Sequence, residues 1–293
     1  MNENKNNISR KKSPLGDLGV KSPDVSSAER GGGSILDEIN AHKKTEVAAA
    51  KAKVSISELM RYPAYNKPVL SLKEYLRKPG KSGIIAEHKR KSPSKGIINA
   101  NVQLEDVVKG YEQAGASAIS VLTDEKYFGG TLSDLEAASK LVNIPVLRKD
   151  FIVDEYQIHE AKAYGAAVIL LIAASLTAEE VERFAKLAHQ LGMEVLFEIH
   201  NEEELSKVSA YVDVVGVNNR DLKTFNVDTN RSIELLTKIP ANFVRISESG
   251  ISNPETVKML KHEGFEGFLM GENFMKEKKP AEACSRFIKL IST

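Results

Sequence analysis

Short runs of aliphatic residues alternate with longer charged segments along most of the chain, beginning near residue 84. Such alternation is the signature of repeated βα units feeding a parallel sheet. Eight strands are predicted, at 84–89, 118–123, 145–149, 167–173, 194–200, 213–219, 243–249 and 267–271, each about one strand plus one helix from the next. Gly115, Gly165, Gly192 and Gly264 stand where helices should stop. Thr177 and Glu180 form a capping box, and Ser252 opens a second with Pro254 at an early helical position. An open doubly wound sheet would use similar units, but its first turn usually carries a GxGxxG fingerprint, which is absent here. The expected fold is an α/β (β/α)8 barrel.

Upstream of the first strand, residues 35–59 are rich in Ala, Lys and Glu and predict a helix outside the barrel repeat. Residues 62–68 read as a loop, and Ser71 caps a short helix at 72–77, so extra helices span 35–80. Residues 1–33 are dominated by Asn, Ser, Lys and Gly and end in RGGGS. Such a leader buries too little apolar surface to offset its ordering entropy, and is expected to be disordered. Glu3, Asp17, Asp24 and Glu29 argue against a transit peptide there. Residues 34–293 are taken as a single catalytic domain.

Alternate side chains of a barrel strand point inward, and the last inward positions open onto the active face. At period two, Ile85, Glu87 and Lys89 share one face of the first strand, and Leu147 and Lys149 one face of the third. Leu196, Glu198 and His200 align in the fifth, Val214, Gly216, Asn218 and Arg220 in the sixth, and Val244, Ile246 and Glu248 in the seventh. Strand ends often become polar simply because they reach solvent. Five strands that stay apolar at one end and converge on two lysines and three glutamates at the other describe an acid–base constellation.

The turns SESGI at 247–251 and MGENF at 270–274 follow the last two strands. In many barrels these loops hold a phosphate through backbone N–H groups, and Gly250 and Gly271 would let the backbone approach it closely. The loop after the first strand carries Lys89, Arg90, Lys91 and Lys95, which reads as an anion-gripping, mobile lid or as a solvated charge run.

Composition narrows the partners. Forty-one basic against forty acidic residues leave a formal charge of +1, so no basic field invites nucleic acid or a membrane surface. Hydrophobic residues make up 42%, enough for a sizeable core. Cys284 is the one cysteine and cannot form an internal disulfide, which fits a cytoplasmic, reducing setting. Apolar runs stay short of a membrane span, and the N-terminus lacks the apolar stretch of a signal peptide. Glu198 and His200 are two candidate metal ligands without a third, and the remaining helical histidines (His42, His159, His189, His262) read as surface residues, so no metal and no cofactor are expected.

With these residues in view, the sequence resembles the indole-3-glycerol phosphate synthase family of tryptophan biosynthesis, from about residue 35 to 291. The carrying motifs are IAEHKRKSPS at 85–94, SVLTDEKYFGG at 120–130, PVLRKDFI at 145–152, VLFEIH at 195–200, GVNNRDL at 216–222 and SESGI at 247–251. The resemblance implies ring closure on a phosphorylated, ring-opened ribulose carrying an anthranilate group, with loss of carbon dioxide and water. It implies that Lys149 is the general acid and Glu198 the base of the later dehydration. Lys89 would pair with an anionic substrate group, with a second role as an acid left open, while Glu87 and Glu248 orient the lysines and hydroxyls. Ser92, Asn218, Arg220 and Ser249 would hold the substrate and Phe151 its aromatic ring. Gly250 and Gly271 would cradle the phosphate, with a part for the neighbouring Glu272 left open. A lysine acid needs its pKa brought toward working pH: burial and a nearby Lys89 would lower that of Lys149, and Glu87 would oppose them. His88 replaces a usually apolar residue and should face the helix layer, away from the chemistry. No second barrel follows, so the isomerase fused to some relatives is not expected. A monomer is expected, with contacts to other enzymes of tryptophan biosynthesis left open.

Two rivals remain to be weighed. A sugar-phosphate isomerase of the phosphoribosylanthranilate isomerase type would want a Cys and Asp pair at strand ends, which Cys284 cannot supply. A non-catalytic phosphate-ligand-binding barrel would not need every ionisable position filled.

Overall fold

Val, Ile and Leu fill the predicted strand runs, and such residues suit strands buried on both faces. The computed structural model describes residues 34–222 and 224–292. In it all eight runs are strands: β1 (Ile84–His88), β2 (Ala118–Leu122), β3 (Val146–Lys149), β4 (Val168–Ile172), β5 (Glu194–Ile199), β6 (Val214–Asn218), β7 (Val244–Glu248) and β8 (Gly267–Met270). Every boundary lies within one residue of the sequence reading. Each strand pairs in parallel with the next, and β8 closes on β1, giving the expected (β/α)8 barrel. The expected disordered leader, residues 1–33, lies outside the described residues.

Strand parity separates two apolar clusters. Ile85, Leu147, Leu170, Leu196, Val214 and Ile246 meet inside the barrel, while Ile119, Ile169, Phe197 and Val217 face the helices. The extra helices follow α1 (Ile35–Lys53), α2 (Ile56–Leu59) and α3 (Leu72–Arg77). Leu72 and Leu76 of α3 join the interior cluster. Ser71 and the Lys73 N–H both donate to Glu194, and Lys73 Nζ lies 2.6 Å from Asp213. Glu194 and Asp213 stand at strand starts, so α3 closes the barrel at its N-terminal end. Truncating a fully buried leucine such as Leu72 typically costs about 2–5 kcal/mol, so this end supplies stability rather than chemistry.

The outer layer comprises α4 (Leu104–Gln113), α5 (Glu125–Phe128), α6 (Leu132–Leu141), α7 (Glu155–Ala163), α8 (Ala178–Gln190), α9 (Asn230–Leu236), α10 (Pro254–Glu263), α11 (Glu272–Met275) and α12 (Pro280–Ser292). The Thr177–Glu180 capping box opens α8 as expected. Three local details differ from the sequence reading. The helix predicted over 35–59 breaks at Val54, which is extended, and Ser55 caps a new turn. Asn253 rather than Ser252 caps α10, its side chain accepting from the Glu255 N–H. After β5 only a 3-10 turn forms, at Glu203–Lys207, because that connection is short.

Candidate active site

The C-terminal ends of the strands enclose a cavity of about 540 Å3. Glu87, Lys89, Ser92, Lys149, Phe151, Glu198, Asn218, Arg220, Glu248, Ser249, Gly250, Gly271 and Glu272 all line it, so the structure brings together every site residue named from the sequence. His88 points the other way, as expected: it is buried outside the cavity, and burial together with Arg90 pulls its pKa down to about 4.

Lys149 sits at the centre of the charges. Its Nζ lies 3.1 Å from Glu198 Oε2 and 3.4 Å from Glu248 Oε2, while Lys89 Nζ lies 2.7 Å from Glu87 Oε1. Burial is the largest influence on Lys149 and draws its pKa down, but Glu198, Glu248 and Glu87 together hold it well above its ordinary value. The contest that sequence left open is thus decided by the carboxylates, against the lowering that burial and Lys89 were expected to give. Lys149 is held in its ammonium form.

The two carboxyls on Lys149 behave oppositely. Burial pushes Glu198 up, but Lys149, His200 and the Asn218 side chain outweigh it and hold the group down to about 2. Burial also pushes Glu248 up, and there Glu198 and Glu87 add to it, so Glu248 titrates at about 8 despite Lys149. Glu198 is therefore held toward its charged form and Glu248 toward its protonated one, a division that belongs to the pair as a unit. Glu248 has room because β6 carries a glycine beneath it: a Cβ on Gly216 would fall 2.1 Å from Glu248 Oε1.

The turn after β7 is strained. Ser249 has φ 66° and Gly250 φ 72°, both left-handed, and Asn219 Nδ2 donates to the Ser249 carbonyl at 3.1 Å. A non-glycine residue in this region costs about 1–3 kcal/mol and persists where its surroundings hold it. Gly271 leaves space for Glu87, since a Cβ there would fall 2.4 Å from Glu87 Oε1. The Glu272 carboxylate faces cations rather than open space, 3.5 Å from Arg220 Nη2 and 4.0 Å from Lys95 Nζ. Being an acceptor only, it repels a phosphate, which leaves any phosphate contact at this turn to the backbone.

The basic loop after β1 is more anchored than a mobile lid. Lys91–Ser92 pairs antiparallel with Gly96–Ile97, and Arg90 grips Asp134 with two hydrogen bonds of 2.6 and 2.8 Å. Lys91 Nζ donates to the Lys126 carbonyl, so only Lys89 and Lys95 of the four basic residues line the cavity.

Residues 36–287 match the model of the indole-3-glycerol phosphate synthase family. The chain belongs to that family. Relatives named indole-3-glycerol phosphate synthase include one from Bacteroides thetaiotaomicron, 49% identical over 88% of this chain and 98% of the relative. Another, from Neisseria meningitidis serogroup B, is 44% identical over 83% of this chain and 94% of the relative. Among solved structures, a chain of the tryptophan synthase α2β2 complex of Pyrococcus furiosus aligns with TM-score 0.53 and 15% identity, over 73% of this chain and 98% of that one. A native KDPGal structure aligns with TM-score 0.52 and 13% identity, over 71% and 92%. At such identities the likeness speaks for the barrel alone.

In this synthase-family chain, sequence reasoning missed the part played by α1. Ile35, Leu36 and Ile39 line the cavity beside Phe128 and Phe151, whose rings lie 6.0 Å apart. Behind them runs a buried charge network: Lys43 reaches Asp124 and Asp150, and Arg148 reaches Asp150 and Glu160. The signal was present. Leu36, Ile39, Lys43 and Val47 form the buried stripe of α1, and a lysine within an apolar stripe demands a buried counter-charge. Among the described residues no group of three or more His, Cys, Asp or Glu is set to hold a metal ion, and no helix is long and apolar enough to cross a membrane. Glu198 and His200 instead pair with each other, at 3.5 Å. His189 and His262 are exposed, as expected of surface residues, whereas His159 meets Tyr65 Oη at 2.5 Å in a half-buried contact.

Proposed function

We propose that the chain is an indole-3-glycerol-phosphate synthase, a carbon–carbon lyase of the carboxy-lyase type acting in tryptophan biosynthesis. It would convert 1-(2-carboxyphenylamino)-1-deoxy-D-ribulose 5-phosphate to indole-3-glycerol phosphate. The observation that carries the reading is Lys149, its Nζ held 3.1 Å from Glu198 and 3.4 Å from Glu248 in a cavity with an apolar wall.

Each group has a task in that reaction. The ring carbon bearing the carboxylate attacks the ribulose carbonyl carbon, and Lys149 gives its proton to the carbonyl oxygen as the C–C bond forms. Carbon dioxide then leaves and its bonding pair restores the aromatic ring. Loss of the new hydroxyl as water needs a donor to the leaving oxygen, which is Lys89, and an acceptor for the proton released from the ring being formed, which is Glu198. Lys89 pairs with an anionic substrate group, Glu87 and Glu248 orient the two lysines, and Ser92, Asn218, Arg220 and Ser249 hold the substrate. Phe151 packs on the ring, and the turns at Gly250 and at Gly271–Glu272 receive the phosphate through backbone N–H groups. Acid–base help of this kind is worth about 10²–10⁴-fold in rate. We place the reaction in the cytoplasm of a monomeric enzyme, supported by the buried, unpaired thiol of Cys284 and by the biosynthetic role.

The assay is direct. The full chain incubated with the carboxyphenylamino-deoxyribulose phosphate should produce indole fluorescence. Folded protein that yields none refutes the reading.

A further inference from the structure

Lys43 lies on a helix that is not part of the barrel, yet it is 5% exposed. Its ammonium touches three carboxylates: Glu46 on its own helix at 2.7 Å, Asp124 after β2 at 2.8 Å, and Asp150 after β3 at 3.0 Å. Asp124 is fully buried and caps α5, its Oδ1 accepting the Tyr127 N–H. Asp150 is the residue between Lys149 and Phe151, and it accepts in addition from Thr123, Arg148 and the Phe151 N–H.

At its C-terminal end α1 is also held by Tyr156, which is buried and donates to the Ala50 carbonyl at 3.3 Å, whereas the other contacts to the rim run through half-buried or exposed groups. Tyr127 donates to Glu38 at 3.0 Å, Asn40 to Ser175 at 3.1 Å, and Lys51 pairs with Asp154 at 2.7 Å. Exposed pairs of this kind hold weakly, whereas an ion pair cut off from water is stiff because either partner alone is costly to bury. The same stretch of α1 supplies Ile35, Leu36 and Ile39 to the cavity.

We propose that Lys43 is a positioning residue of the active site, a clamp that bridges Asp124 and Asp150 and so fixes the apolar roof of α1 against the Lys149–Phe151 segment. The inference rests on the synthase reading. One side chain sets the distance between the wall that receives the aromatic part of the substrate and the strand end that carries the ammonium. Lys43 touches no substrate, and its loss acts through Leu36, Ile39 and Phe151.

Lys43→Met preserves the stem and removes the charge. In the full-length protein, with a cooperative melt retained, KM should rise about tenfold or more, because the apolar wall is no longer held at its working distance. A purely structural lysine would lower the active fraction, and hence apparent kcat, with KM unmoved; KM within about twofold of wild type therefore overturns the clamp. Should Lys43→Met not fold, Asp124→Asn keeps the α5 cap and removes half the bridge. It should raise KM by about threefold, and an unchanged KM there overturns the proposal equally. If wild type itself is inactive the synthase reading fails, and the clamp is judged by hydrogen exchange of α1 in the Lys43 variant. Exchange faster by about tenfold upholds it and equal exchange overturns it.

Discussion

The third strand carries two buried charge clusters on its opposite faces, and they solve the same problem differently. Outside, Arg148 and Asp150 join Lys43, Asp124 and Glu160, and the Asp150 carboxylate is served by Lys43, Arg148, a hydroxyl and a backbone N–H. Inside, the single ammonium of Lys149 serves both Glu198 and Glu248. Burial pushes Asp150 upward, but Arg148, Lys43 and Thr123 hold its pKa below the ordinary value. Glu248, with fewer donors and two carboxylates for neighbours, is pushed up to about 8. Saturated donors pin a charge in place, and a shortage of donors leaves a proton free to move. The outer cluster is built to stay and the inner one to react.

The largest expected effect comes from breaking the inner cluster at its hub. Lys149→Met should lower kcat by about 10³-fold, equivalent to about 4 kcal/mol, while indole-3-glycerol phosphate still binds. Near-normal turnover would remove Lys149 from the acid role.

Next in size is Asp150→Asn, which should cost about 3 kcal/mol at neutral pH because it leaves two buried cations short of their anion. A folded pKa below the unfolded one gives stability that is present above the unfolded value and lost as pH falls through the folded one. The Tm deficit of the variant should therefore shrink below about pH 4, the ordinary aspartate range.

Glu248→Gln should do the reverse and more gently. A folded pKa raised to about 8 from 4.5 gives stability that is present below the unfolded value and lost as pH rises through the folded one. Relative to wild type, the glutamine variant should gain Tm across that window, most at its upper end. Melting curves of the two amide variants from about pH 2.5 to 9, which spans both windows, test the comparison in one experiment. Parallel rather than crossing pH trends would show the clusters to be alike.

Much of this was legible in the sequence, and the limits have physical reasons. Strand positions followed from apolar runs, because a strand buried on both faces tolerates little else. The convergence of Lys89, Lys149, Glu198 and Glu248 followed from period-two counting once the barrel was accepted. The ionisation of those groups did not, since it depends on which neighbours each carboxyl meets, His200 and Asn218 beside Glu198 and two further carboxyls beside Glu248. The resting place of α1 was hidden because helical propensity fixes a conformation and leaves the docking partner open. Lys43 alone among its residues announced that partner. The break at Val54 and the cap at Asn253 turned on single backbone torsions, below what composition resolves.

Gly216 carries a consequence for the history of such a barrel. Any larger residue there must evict the Glu248 carboxylate while leaving the cavity, the strained turn and the roof intact. One base change at this codon can therefore displace the Glu248 carboxyl without altering Glu248 itself.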